Sequence, residues 1–257
     1  VIFESTGWIL FGIAVGTLGT LIGVGGGFLM IPVLLFFFKD KSPAVITAIS
    51  LAVICVNSSS GSFAYARMKR INYRAGLLFA IAAVPGAIAG AFIIDYIPQR
   101  IFNLIFGTIL LLVGIYLFAS AGKMLKPEHE SQTFPKYNLT AGMIISAFTG
   151  LISSILGIGG GIVHVPMMVY LLKFPVHFAT ATSHFTLAIM TFFGTLVHIY
   201  NGDLAGQWRI VILLAIGVLG GAQLGAALSQ KLHGRLIIKI LSAVLAFVGL
   251  RIIYQGF

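Results

Sequence analysis

Charge is scarce in this chain. Only 9% of its 257 residues are Asp, Glu, Lys or Arg, and six of them are acids. No acid falls inside a long apolar run. Glu4, Asp40, Asp95 and Asp203 sit at run ends or in loops, and Glu128 and Glu130 lie in a polar linker. Cation carriers commonly place a carboxylate inside the membrane, so a cation substrate is disfavoured. No Lys or Arg is clearly placed mid-run either. The single cysteine, Cys55, excludes an intramolecular disulfide and a cysteine-based zinc site. Lying mid-run, it reads as a small packing residue. No G-x-x-x-x-G-K-[ST] stretch occurs, which argues against ATP-driven pumping by this chain. No signal-cleavage pattern follows the first apolar run, so that run is read as structure.

What is abundant is apolar surface. The chain is 59% hydrophobic, with a mean hydropathy of +1.06. Apolar runs of roughly 18 residues or more recur, so the class is an all-α, polytopic membrane protein. A membrane barrel would need short alternating segments instead. The net charge of +10 sits in the loops between runs. It therefore speaks of membrane topology rather than of nucleic acid.

One short stretch occurs twice. Gly23-Val24-Gly25-Gly26-Gly27-Phe28-Leu29-Met30-Ile31-Pro32 returns as Gly157-Ile158-Gly159-Gly160-Gly161-Ile162-Val163-His164-Val165-Pro166, an offset of 134. Adjacent glycines disfavour a continuous helix. Each copy predicts a break, with a new helix starting just after it. A helix start offers unpaired N–H groups and partial positive charge, which suits an anion. The competing reading is that the glycines only allow close helix packing. The arm after the first break, Phe28 to Phe38, gives roughly 16 Å of helix. That is short of a hydrocarbon core of about 30 Å, so a re-entrant hairpin is expected.

The chain around these breaks is duplicated. Gly12, Gly16, Gly19 and Gly23 recur at close-packing intervals before the first break. Pro43 opens a helix to about Ala66, with Thr47, Ser50, Asn57 and Gly61 on one stripe. Spans follow from Gly76 to Ile94, kinked at Pro85, and from Ile101 to Ala119. In the second half Pro175 matches Pro43, Ala181-Thr182-Ser183 matches Ala48-Ile49-Ser50, and Gly194 matches Gly61. Gly221 to Ala226 matches Gly86 to Ala91. The expected organisation is one transmembrane domain over 1–257. Repeat 1 covers about 1–119, a linker about 120–138, and repeat 2 about 139–257. His129, in that linker, reads as a solvated histidine.

Basic residues choose between topologies. If each broken run crosses once, the two sides carry nine and seven basic residues. If each returns to its own side, they carry eleven and five, and the positive-inside rule is better obeyed. The expectation is two inverted repeats, each a glycine-broken hairpin plus three spanning helices. The linker is then cytoplasmic and both termini external.

The remaining chemistry is neutral. The second half carries a stripe of Thr180, Ser183, His184, Thr191 and His198, the last near a span end. Isolated hydroxyls in such helices commonly bond back to their own backbone. The clusters Asn57 to Ser60 and Thr180 to His184 are harder to dismiss, because amides and imidazoles in hydrocarbon need partners. Donors without a buried counter-charge suit a small anion. The expected substrate-binding residues are Gly25, Gly26, Gly27, Phe28, Ser50, Asn57 and Ser58, with Gly159, Gly160, Gly161, Ile162, Thr182, Ser183, His184 and Gln223. Gln223 reads equally as a cross-link between helices. His164 and His184 are the candidates for proton coupling. No metal, cofactor or catalytic residue is expected. The alternatives are an anion channel, or an intramembrane hydrolase using Ser183 or Ser154 with a histidine. The second lacks both an acid within the spans and a G-x-S-x-G stretch.

These residues together resemble the sulfite exporter TauE/SafE family of membrane transporters. Both G-x-G-G-G-x₄-P stretches carry the likeness, with Ala181-Thr182-Ser183 and Gly221-x-Gln223-x-Gly225-Ala226. It covers essentially the whole chain, duplication included. The resemblance implies a secondary transporter of a prokaryotic inner membrane. Its cargo would be a small sulfur-containing anion or organosulfonate, such as sulfite, thiosulfate or sulfoacetate. The copies differ at Ile49 against Thr182 and at Met30 against His164. The two halves are therefore not expected to supply equivalent ligands.

Overall fold

The computed structural model describes residues 2–121, 137–232 and 234–256. Most of the expected linker, His129 included, lies outside the described residues. Among those described there are ten α-helices and no strand. They are α1 (Ile2–Ile22), α2 (Gly27–Phe37), α3 (Pro43–Arg67), α4 (Tyr73–Ile93) and α5 (Gln99–Ala121), then α6 (Leu139–Leu156), α7 (Gly161–Pro166), α8 (Val176–Asn201), α9 (Trp208–Ser229) and α10 (Gly234–Gly256). Seven are long and apolar enough to cross a membrane. Leu10, Phe63, Leu112, Phe148, Ile212 and Phe247 lie exposed on the outside of the bundle. Apolar residues facing outward all around a bundle are what a lipid solvent requires.

Local sequence sets the helix limits. Ser42 caps α3 by accepting from the Val45 N–H, and Pro43 fills the first turn, where a missing N–H costs nothing. Asn72 and Asn138 cap α4 and α6 in the same way. Pro175 departs from its counterpart: it is the cap residue of α8, and the helix begins at Val176. The arm after the second break also differs from the first. It is α7 followed by a π-helical stretch, Met167–Leu171, whereas α2 is one helix.

Glycine lets the helices meet backbone to backbone. A methyl on Gly16 would touch Val218 Cα at 2.8 Å, and one on Gly12 would lie 2.6 Å from the Leu214 carbonyl, so α1 lies directly on α9. Gly86, Gly90 and Gly150 bring α4 and α6 together in the same manner. Gly114 and Gly249 do so for α5 and α10. At the centre α3 packs on α8, while α4 also packs on α8 and α9 on α3. Each contact thus has a counterpart made by the matching elements of the other half.

The direction of α3 and α8 follows from their contacts. Gly61 faces the His184 ring, Cys55 Sγ reaches the Ala188 carbonyl at 3.9 Å, and Gly194 faces Leu51. As one number rises the other falls, so these matching helices run antiparallel. By the same reading α5 and α10 are antiparallel, because Gly114 meets Ala246 and Gly249 meets Gly107. One end of the bundle gathers the loop from Met68 to Asn72, tied by Arg70 to Ser229 and by Asn72 to Thr182 and Tyr137. The other end gathers Asp95, Asn201 and Asp203.

Candidate functional site

The two glycine breaks meet in the middle of the bundle. Gly27 is packed against the Gly157 carbonyl and Ile158, and Gly161 against Gly23 and Val24. Gly23, Gly25, Gly26, Gly157, Gly159 and Gly160 all have positive φ. Side chains carry a cost of about 1–2 kcal/mol per residue in that region, which is why the breaks are built of glycine. Ile54 and Leu187, about midway along α3 and α8, lie against both tips. A methyl on Gly25 would fall 2.8 Å from Ile54 Cγ2 and 2.9 Å from Leu187 Cδ2, and one on Gly159 would fall 2.9 Å from Ile54. The tips are therefore closed directly on each other, with Ile54 and Leu187 lying against both.

Side chains from the central helices tie down the break carbonyls. Ser183 Oγ donates to the Gly23 carbonyl at 3.0 Å. Its counterpart Ser50 donates to the Gly157 carbonyl at 2.6 Å. Each serine thus holds the break of the other half. Asn57 Nδ2 donates to the Gly25 carbonyl at 3.0 Å. The ladder of α2 starts with Leu29 and Met30 bonding to the Gly26 carbonyl, and that of the second arm with Val163 and His164 bonding to Gly160. The N–H groups of Gly27, Phe28, Gly161 and Ile162 come before those ladders.

Around the first break the polar residues form one network. Thr20 Oγ1 lies 3.3 Å from Asn57 Oδ1, to which it donates, and 3.1 Å from His184 Nε2. Tyr65 donates to the Thr20 carbonyl at 2.7 Å. Ser58 is fully buried, its hydroxyl has no partner, and it would lie 3.6 Å from a methyl on Gly25. Around the second break two of the matching positions are apolar, while Ser154 and Thr191 stand where Thr20 and Ser58 do. Met190 stands where Asn57 does and Leu51 where His184 does. The Met190 methyl lies against Gly160, and Leu51 against Gly194.

The structure thus gathers Gly25, Gly26, Gly27, Asn57, Ser58, Ser183 and His184 at the first break and Ser50, Gly159, Gly160 and Gly161 at the second. Phe28 and Ile162 stand there by their backbone, and their side chains are core. Thr182 is placed elsewhere: its hydroxyl accepts from the Asn72 N–H at 3.0 Å and anchors the loop between α3 and α4. Gln223 is exposed and donates to the Ser60 carbonyl and hydroxyl at 2.9 and 2.8 Å. It ties α9 to α3 on the outside of the bundle. His164 is buried with Nε2 at 3.1 Å from Ser146 on α6. Ser146 gives its own proton to the Gly142 carbonyl, so it accepts from the imidazole and is no activated nucleophile. His198, expected at the membrane interface, has a wholly buried side chain bonded to Asp203.

Sequence reasoning missed Thr20, Tyr65, Ile54 and Leu187. Thr20 had one signal, a hydroxyl just before the glycine run. Ile54 and Leu187 had only their matching places in the two halves, since apolar residues in apolar helices carry no mark.

The comparisons with known proteins agree with this architecture. The family model described as sulfite exporter TauE/SafE matches residues 8–252. A probable membrane transporter protein of Bacillus subtilis, YunE, is 31% identical, over 96% of this chain and 97% of its own length. A probable membrane transporter protein of Methanocaldococcus jannaschii is 30% identical, over 94% of this chain and 92% of its own length. A third, from Haemophilus influenzae, is 28% identical over 88% of this chain and 85% of its own length. No solved structure matches. With a family match spanning nearly the whole sequence and a bundle of apolar helices around two broken ones, this chain is a multi-pass membrane transporter that belongs to the sulfite exporter TauE/SafE family.

Proposed function

We propose that this protein is a secondary transporter of a small sulfur-containing anion or organosulfonate, of the sulfite, thiosulfate or sulfoacetate type. The observation that carries the reading is the first break. Its Gly25 and Gly23 carbonyls are tied to Asn57 and Ser183, the N–H groups of Gly27 and Phe28 come before the helical ladder, and the buried Ser58 hydroxyl beside it has no partner. Donors in surplus, with no basic side chain among them, fit a small oxyanion. A helix start contributes roughly half a positive charge, so two facing starts offset most of one negative charge. The family supports the sulfur-anion class.

The antiparallel course of α3 and α8 supports a reading as inverted repeats. Rocking one half against the other parts the tips beside Ile54 and Leu187 and opens the first break to each side in turn. The basic end, with the linker, is then cytoplasmic. His184, bonded to Thr20 at the site, stands nearer the anion than His164 does.

The test is a thermal-shift screen of the purified protein with sulfite, sulfate, thiosulfate, sulfoacetate and taurine, followed by uptake into sealed vesicles. A shift with the sulfur anions and their accumulation inside is expected. Binding of none of them discards the substrate class. Steady conduction through single open events in a planar bilayer would make the protein a channel. For topology, a cysteine placed at Ser131 should resist an impermeant reagent added outside intact cells.

A further inference from the structure

The counterpart of Tyr65 in the second half is His198. Tyr65 commits its hydroxyl to the backbone at the first break. His198 instead holds a carboxylate, with Nδ1 2.6 Å from Asp203 Oδ2. The imidazole is wholly buried and the Asp203 side chain is 14% exposed, so the pair reaches from the interior to the surface. It lies at the end of the bundle away from the basic loop. A ring that gives its Nδ1 proton to a carboxylate turns the Nε2 lone pair the other way. Here Nε2 is buried and has no partner. The Asp203 N–H also bonds to the His198 carbonyl at 3.0 Å, so the pair fastens the loop as well. Fastening alone leaves the bare inward nitrogen unexplained.

Few other charges surround it. Asp95, on the turn after α4, accepts from Asn201 at 3.1 Å and feels both Asp203 and His198 electrostatically. Of the helices packed on α8, α3, α4, α6 and α7 bring no Asp, Glu, Lys or Arg to this end of it, whereas α1, which also packs on α8, carries Glu4 in its first turn, and Arg209 opens α9 and bonds to Ser5. His164 belongs to α7. On α8 itself, His177 and His184 stand toward the opposite end, His184 by roughly 21 Å of helix.

We propose that His198 and Asp203 form a proton-binding site that controls anion loading from the face opposite the basic loop. The proposal rests on the anion-transport reading above. One proton from water attaches to His198 Nε2, imidazole becomes imidazolium, and no other bond changes. The unprotonated pair carries one negative charge and the protonated pair none. An incoming anion is repelled by the first and not by the second, so proton and anion binding favour each other reciprocally. For one unit charge roughly 21 Å from the first break, at an effective dielectric of about 20, the effect is about fourfold in affinity.

Thiosulfate is the probe, because its charge is constant over the range used. Its affinity for the purified full chain is measured at about pH 5.5 and about pH 7.5. Thiosulfate carries two negative charges, so the effect doubles in free energy and the wild type should bind about fourteenfold tighter at the lower pH. Two variants should then part in opposite directions. H198Q keeps the negative charge at both pH values, so its affinity stays at the weak, high-pH level. D203N lacks that charge, so its affinity at high pH rises to the tight, low-pH level. A mere loop fastener predicts that H198Q and D203N both weaken binding or leave the pH dependence intact. Either result overturns the proposal, as does a wild type whose affinity ignores pH. If H198Q does not fold, the rise in D203N carries the test. Failure of the wild type to bind thiosulfate, sulfite or sulfoacetate at either pH refutes the transport reading itself, and the proton site with it.

Discussion

Where Asn57 donates to the Gly25 carbonyl, the matching position in the second half is Met190, with its methyl against Gly160. Where His184 meets Thr20, the matching helix offers Leu51. The two breaks share a motif, a backbone course, a serine fastening and nearby hydroxyls, yet the first adds an amide and an imidazole where the second has a thioether and a leucine. Backbone geometry is thus what the duplication holds in common. Side-chain chemistry on the helices that cross the break is what separates them. Buried donors without a partner cost free energy, and they stand at both breaks: Ser58 beside Gly25 at the first, Ser153 beside Gly160 and Thr47 beside Gly157 at the second.

The largest effect expected is at the glycines. Gly26→Leu should prevent folding or abolish transport, since Gly26 has φ 94° and its added carbon would meet the Val15 carbonyl at 2.9 Å. Gly160→Leu has a comparable φ of 81° but meets the movable end of Met190 at 2.8 Å. It should be the milder of the two, with a smaller fall in melting temperature. Equal losses would show that the tips are equally rigid.

Next comes the amide. Asn57→Ala should weaken anion binding about tenfold or more and leave the Gly25 carbonyl unpaired, at roughly 1–3 kcal/mol in stability. Met190→Ala should change affinity by less than about threefold, because it removes only packing beside the second break. Titration of both variants with the same anion decides this; a larger effect at Met190 would move the site to the second break.

The serines give a subtler contrast. Ser50→Ala and Ser183→Ala each free one break carbonyl and should cost a similar 1–3 kcal/mol or so in unfolding measurements. Only Ser183→Ala, beside His184, should also lower anion affinity. Matching affinity losses would mean that both breaks touch the anion.

Gln223→Ala should do least. Its bond to Ser60 is exposed, so a change of about 0.5 kcal/mol or less is expected, with unchanged affinity. A clear loss of binding in that variant would return Gln223 to the site.

Helix limits, the two breaks and the membrane class were legible in the sequence, because glycine runs, helix-opening prolines, polar caps and apolar run lengths act locally. The helix after the first break was expected at Phe28 to Phe38 and is found at Gly27–Phe37. Asn57, Ser183 and His184 stood out because polar groups in apolar helices need partners. Gln223 and Thr182 stood out for the same reason and found theirs away from the breaks, at Ser60 and Asn72. A one-dimensional pattern states that a donor must be satisfied, not by whom.

The amino-acid sequence by itself therefore determined that this chain lives in a membrane, that one glycine stretch occurs twice in it, and that the helical course is broken at three adjacent glycines each time. Propensity and solvation act residue by residue, and they suffice for that. The antiparallel meeting of α3 and α8, the exchange of serine fastenings between halves and the placing of Ile54 and Leu187 against both tips were decided only by the tertiary structure. So were the enlistment of Thr20 and Tyr65 and the burial of His198 against Asp203. Each of these joins residues far apart in the chain, and such contacts depend on which helix faces pack together, which no local preference specifies.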